Sequence, residues 1–216
     1  MTQILSDVYY FYKRNLSFLL AYIVPVSLLI TAVSMFAAQA MDSGDELEQI
    51  KVLLILNFIF NPIYLGGLIY LMSQLSNGRN PKLSQCLSFG LSKWLMLFAV
   101  SIMYGLLTGF GFFLFVLPGI WIFIRLVLAP FLVALDNYSP LDAIKTSFVL
   151  TRNEFWNILG LTSLIFLSLI LIQQLLMSYL PDNTWLKILS SVFGDVLWSF
   201  LTVIWFRYYD WLKNGN

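Results

Sequence analysis

The chain has 216 residues, 60% of them hydrophobic and 11% charged, with a net charge of +1. That balance lies far from soluble globular chains and carries no nucleic-acid or polyanion signature. A single cysteine, Cys86, and no histidine exclude an intrachain disulfide, thiolate metal clusters, Ser-His-Asp and Cys-His nucleophile activation and HExxH zinc sites.

No Asp, Glu, Lys or Arg occurs between Arg14 and Asp42, between Lys51 and Arg79, or between Lys93 and Arg125. Each window exceeds the run of about 20 apolar residues needed to cross hydrocarbon. The pattern predicts an all-α polytopic membrane protein with six spans, roughly 16–40, 52–75, 94–117, 119–135, 155–180 and 185–206. Lys13 and Arg14 ahead of Ala38-Gln39-Ala40 imitate a signal peptide. The apolar run from Leu16 is much longer than an h-region of about 7–15 residues, so the segment is expected to stay as a span.

Between spans, Pro118-Gly119 is expected to make the tight turn from the third to the fourth, and Pro181-Asp182-Asn183 the turn between the last two. Pro130 is expected to bend the short fourth span. Asn80-Pro81 and Ser139-Pro140 each read as an N-cap followed by proline at the first helical position. Asp142, three residues after Ser139, approximates a capping box. Leu83, Leu87, Leu91 and Trp94 share one helical face opposite Gln85, Ser88 and Ser92; Ile4, Val8, Phe11 and Tyr12 form a similar stripe near the N-terminus. The expected architecture is three transmembrane hairpins, each preceded by an amphipathic interfacial helix. Leu5, Leu83 and Leu141 mark approximate repeats 1–78, 79–138 and 139–216 within a single membrane domain 1–216.

Lys13, Arg14, Arg79, Lys82, Lys93, Lys145, Arg152, Arg207 and Lys213 fall on one side of this scheme, and only Lys51 and Lys187 on the other. The positive-inside rule then puts both termini in the cytoplasm and the acidic segment Asp42–Glu48 outside. Arg79, Lys82 and Lys93 make a thin basic rim, short of the clusters of about 4–8 that read as lipid sites. Trp94, Trp156, Trp205, Trp211, Tyr208 and Tyr209 are expected to mark the cytoplasmic interface, and Tyr179 and Trp185 the far one.

Two ionisable residues stand inside the apolar spans: Arg125 in the fourth and Asp195 in the sixth. Such charges mark a functional site or a structural pair. At about 1.5 Å per residue, Arg125 lies about 9 Å below the Pro118-Gly119 turn and Asp195 about 15 Å below Trp185. Depth therefore allows a mutual ion pair, the leading expectation; Arg125 on a lipid or substrate anion, and two unconnected charges, stay open. Ser191, Asp195, Ser199 and Thr202 form a polar stripe, as do Asn57, Asn61 and Tyr64 beside Pro62. Interhelical hydrogen bonding accounts for such stripes more readily than a polar path does. Ser101, Gly105 and Gly109 form a small-residue ridge expected to admit a neighbouring helix closely, with Pro118 and Gly119 shaping the adjoining turn. No catalytic, cofactor or metal site is expected.

Residues 117–160, LPGIWIFIRLVLAPFLVALDNYSPLDAIKTSFVLTRNEFWNILG, carry Pro118-Gly119 opening a span, Arg125 within it and Pro130 near its end. Pro140-x-x-Ala143, Ser147 and Leu150 then lead to an aromatic-rich next span. This stretch resembles the YciC-like family of bacterial inner-membrane proteins, and is similar to the membrane domain of some glycerophosphodiester phosphodiesterases. The resemblance implies a bacterial inner-membrane location and a role in envelope or membrane-lipid homeostasis, with no assigned reaction. The phosphodiesterase chemistry resides in a separate soluble domain and does not transfer.

The functional expectation is a non-enzymatic membrane protein that binds, organises or passes lipids. The alternative is a small-molecule or ion transporter using the Arg125/Asp195 couple with the Asn57/Asn61 stripe. Expected partners are membrane lipids and not nucleic acid, with a second copy of the chain or other envelope membrane proteins as further candidates. No cofactor is expected.

Overall fold

A computed structural model describes residues 2–40, 46–179 and 184–214. The first four residues of the Asp42–Glu48 segment and the Pro181-Asp182-Asn183 turn lie outside the described residues, as do the side chains of Ile4, Trp185 and Lys187. The described chain consists of eight helices: α1 (Thr2–Ala40), α2 (Glu46–Ser76), α3 (Leu83–Leu114), α4 (Val116–Leu126), α5 (Ala129–Asp136), α6 (Pro140–Leu150), α7 (Phe155–Tyr179) and α8 (Thr184–Asn214). Six stretches are long and apolar enough to cross a membrane: one each in α1, α2, α3, α7 and α8, and a sixth, Val116–Asp136, made of α4 and α5 end to end.

The fourth span breaks where proline dictates. Pro130 stands in the first turn of α5, where its missing N–H costs nothing because no helical acceptor precedes it. The preceding residues Val127 and Leu128 form the turn between α4 and α5. The hairpin between α3 and α4 closes three residues earlier than Pro118-Gly119. Phe115 alone is extended, at φ −163° and ψ 160°, and Pro118 falls inside the first turn of α4, another position tolerant of proline. Gly119 instead lets the two helices meet: a Cβ there would lie 2.4 Å from the Phe112 ring, and one on Gly111 would lie 2.9 Å from Gly119 Cα.

Only one of the three expected interfacial helices stands apart. α6 is set off by Asn137, in the left-handed conformation at φ 58°, and by the turn at 151–154. Ser139 caps it as expected, accepting from the Asp142 N–H at 3.2 Å. The N-terminal amphipathic stretch and residues 83–92 run unbroken into their spans as α1 and α3, since no proline interrupts either junction. α3 begins two residues after Pro81, where the Gln85 side chain accepts from the Lys82 N–H at 2.8 Å.

The tightest packing joins α2 to α3 at Gly66, Gly67 and Gly90. A Cβ on Gly90 would sit 2.3 Å from the Ile63 carbonyl oxygen, so the backbones approach as only glycine allows. α1 adds Tyr22, whose hydroxyl donates to the Tyr64 carbonyl at 2.9 Å. α8 closes the bundle. Tyr12 of α1 reaches the Ser199 hydroxyl at 3.3 Å, and Trp205 donates to Thr162 of α7 at 3.1 Å. Tyr209 donates to Asp136 of α5 at 2.8 Å, and Lys213 pairs with the same carboxylate. The Arg207 guanidinium lies over the Phe11 ring at 5.5 Å, which puts the start of α1 and the end of α8 at the same end of the bundle.

That packing revises the aromatic belt. Tyr208 is fully buried and Tyr209 nearly so, both turned into the bundle by their contacts. Trp156 and Trp211 are exposed, as a belt residue would be.

Candidate functional site: an arginine cleft and a separate carboxylate pocket

Arg125 is the last residue but one of α4, just before the chain breaks ahead of Pro130. The break leaves the last carbonyls of α4 without helical donors, and α6 supplies replacements. Ser147 donates to the Arg125 carbonyl at 2.7 Å and Thr151 to the same oxygen at 3.3 Å. The arginine backbone is thereby bolted to α6. Its guanidinium lies over two rings, 5.6 Å from the Trp121 centroid and 5.2 Å from that of Phe148. Trp121 is four residues earlier on the same helix, hence on the same face. Such stacking holds a guanidinium planar and orients its N–H groups.

Beside it opens a cleft of about 670 Å³, lined by Leu117, Pro118, Ile120 and Trp121 from α4, Phe155, Trp156 and Leu159 from α7, and the side chains of Arg125 and Arg152. Both guanidinium groups belong to this one cleft. Among the described residues no ion pair reaches either of them. The Arg125 Nε is buried and has no hydrogen-bond partner. Glu154, the nearest carboxylate in sequence, is engaged by the Asn157 amide at 2.8 Å. The arrangement is two cations facing an apolar-walled groove, which suits an anion carried on a hydrophobic body.

Asp195 is elsewhere. It lines a small pocket between α1, α2 and α8 with Ser27, Ile30, Thr31, Asn57, Asn61 and Tyr64. The expected Arg125–Asp195 pair is therefore not formed. Depth along the spans permitted it, but facing decides: Arg125 turns toward α6 and α7, whereas α8 presents Asp195 to α1 and α2. Asn57, Asn61 and Tyr64, expected on one polar stripe of the second span, all line the pocket of Asp195. Ser199 is buried one turn away and bonded to Tyr12, and Ser191 is half-buried outside the pocket lining. The Ser101/Gly105/Gly109 ridge receives no helix among the described residues: a Cβ on Gly105 or Gly109 would meet nothing within 4 Å, and Ser101 bonds back to the Leu97 carbonyl. The close helix approach occurs on the Gly66/Gly67/Gly90 surface instead.

Arg152 is the cleft residue that sequence reasoning treated only as an orientation signal. The i, i+4 spacing of Trp121 and Arg125 was a usable hint of the stacked cradle.

The pattern of the uncharacterised protein family UPF0259 matches residues 39–211. The chain belongs to that family. It is 26% identical over 169 residues to a UPF0259 membrane protein of Buchnera aphidicola subsp. Schizaphis graminum (strain Sg), an alignment covering 76% of this chain and 67% of the relative. No solved structure matches. The family match spans the arginine cleft and four of the seven residues lining the carboxylate pocket, whose Ser27, Ile30 and Thr31 precede it. That relative is described as a membrane protein, in keeping with the six apolar spans of this chain.

Proposed function

We propose that this UPF0259 member is a non-enzymatic protein of the bacterial inner membrane that binds the phosphate of an anionic lipid between Arg125 and Arg152. The carrying observation is the pair of guanidiniums, without a carboxylate partner among the described residues, at the polar end of an apolar cleft. Paired arginines hold a phosphate through charge-assisted, forked hydrogen bonds. Leu117 and Trp156, both largely exposed, offer a wall for acyl chains.

The skew of basic residues toward the end shared by both termini supports a cytoplasmic placement of that end. The cleft runs from Arg152, in the turn between α6 and α7 on that side, to Leu117 and Pro118 beside the α3–α4 turn. Exposed Leu141 and Val149 on α6, opposite its buried Ala143 and Ser147, fit a helix resting at the interface. The resemblance to the YciC-like family agrees with a role in lipid homeostasis. The transporter alternative drew on an Arg125–Asp195 couple, and that couple is not formed.

The test is the lipid phosphorus that co-purifies with the protein, supported by native mass spectrometry, for wild type, Arg125→Ala and Arg152→Ala. Each variant should retain several-fold less anionic lipid. In nanodiscs, phosphatidylglycerol should bind in preference to phosphatidylcholine, and soluble glycerophosphate should compete poorly. Unchanged lipid retention in both variants would overturn the reading.

A further inference from the structure

The Asp195 pocket is independent of the arginine cleft and poses its own electrostatic problem. A carboxylate inside a transmembrane helix is costly unless its charge is balanced. Among the described residues, no basic side chain lines this pocket. α1 has no Lys or Arg beyond Arg14, α2 none beyond Lys51, and α8 none between Lys187 and Arg207. Lys51 is itself tied to Glu48 at 2.7 Å at the exposed start of α2. On its far side, α8 meets α7 through the neutral Gln173–Trp198 hydrogen bond at 3.2 Å.

What does face Asp195 is oxygen. Ser27, only 2% exposed, lines the pocket with the carboxylate, its hydroxyl 3.5 Å from the Val24 carbonyl. Thr31 and Tyr64 add two more hydroxyls, and Asn57 and Asn61 two side-chain amides. The Asn57 nitrogen is committed to the Leu53 carbonyl at 2.8 Å, which leaves its oxygen for the pocket. The Tyr64 hydroxyl is buried with no hydrogen-bond partner, an uncompensated group that a ligand would satisfy. Pro62 lies within the pocket-lining stretch of α2, and Pro25 two residues before that of α1. Each removes one backbone N–H, leaving the carbonyls of Ala21 and Phe58 without their usual helical donors.

We propose that this pocket binds a single monovalent cation, with Na⁺ as its natural size class. Hard oxygen donors select hard cations. One carboxylate balances one positive charge, whereas a divalent ion would leave a net charge in apolar surroundings. The space is about 50 Å³, room for one ion with a water or two and too little for an organic solute. Bound there, the ion ties the first hairpin to the last helix, bridging α1, α2 and α8.

The experiment is thermal unfolding of the purified protein in detergent, titrating NaCl against choline chloride at constant ionic strength. A ligand that binds only the folded state raises the midpoint in a saturable way. Wild type should show such a rise, Asp195→Asn should lose it, and Tyr64→Phe should need several-fold more Na⁺ for half-saturation. Infrared spectra of the wild type provide a readout that needs no variant. The difference spectrum between NaCl and choline chloride should show ionised-carboxylate absorption gained in NaCl and protonated-acid absorption lost. A wild type with no Na⁺-dependent rise, an equal rise in Asp195→Asn, or a protonated-acid band that persists in NaCl would each overturn the cation site. The last result would make Asp195 a neutral hydrogen-bonding acid.

Discussion

The Ser147 hydroxyl donates to the backbone carbonyl of Arg125 at 2.7 Å. This bond joins a helix end left open by Pro130 to a separate helix, and so determines where the arginine cleft is built. Ser147 is fully buried, as is Thr151, which reaches the same carbonyl and also the Ser147 carbonyl at 2.7 Å. Ser147→Ala should destabilise the protein by about 1 kcal/mol, because Thr151 still covers the acceptor. Ser147→Ala combined with Thr151→Val strips both donors and should cost more than the sum of the single changes. Denaturant or thermal unfolding in detergent measures both.

Two glycines in α3 should respond oppositely to the same substitution. Gly90→Ala drives a methyl group to 2.3 Å from the Ile63 carbonyl oxygen and must push α2 and α3 apart, at a cost of about 1–3 kcal/mol. Gly105→Ala meets nothing within 4 Å and should be neutral or slightly stabilising, through the better helix propensity of alanine. If Gly105→Ala were the damaging one, the small-residue ridge would be an interface after all, with a second copy as its natural occupant.

Arg125 and Asp195 should behave as independent sites. In a double-mutant cycle with Arg125→Gln and Asp195→Asn, the stability changes should add to within about 0.5 kcal/mol. Recovery in the double mutant, the signature of a broken buried pair, would show that the two charges meet.

How far the sequence reveals this site depends on whether a feature is local. The charge-free windows, the Ser139-Pro140 cap and the break before Pro130 follow from the residues at those positions. The structure shows each of them within a few residues of its expected place. Arg125 and Asp195 stand out because charge in an apolar run is expensive wherever the helix sits. Their partners are not local. Which face α8 turns to α1, and which surface lets α2 and α3 cross, depend on the packing of side chains from distant segments. The Gly66/Gly67/Gly90 contact needs two helices to be seen, while the Ser101/Gly105/Gly109 pattern is visible on one helix and receives no neighbour among the described residues. Counting residues to compare depths failed for the same reason, because it ignores the direction each side chain faces. The unbroken α1 and α3 show a further limit: an amphipathic stretch marks an environment, not a helix boundary.

Lysine should replace one arginine of the cleft but not the other. Arg125 lies over Trp121 and Phe148, whose rings meet edge to face at 5.5 Å, so its planar guanidinium is oriented by stacking. A lysine ammonium is a flexible, strongly hydrated point charge that cannot reproduce that geometry. Arg152 is exposed, without a ring stacked on it among the described contacts, and acts through its charge. Lipid phosphorus retained after purification should therefore fall in Arg125→Lys nearly as far as in Arg125→Ala, while Arg152→Lys should hold close to the wild-type amount. Trp121→Leu keeps both charges and the apolar wall but removes one ring. It should lower retention by an intermediate amount, since a cation–π contact contributes about 0.5–2 kcal/mol. Equal retention in Arg125→Lys and wild type would show that positive charge alone suffices, and the stacked cradle would then serve packing rather than recognition of phosphate.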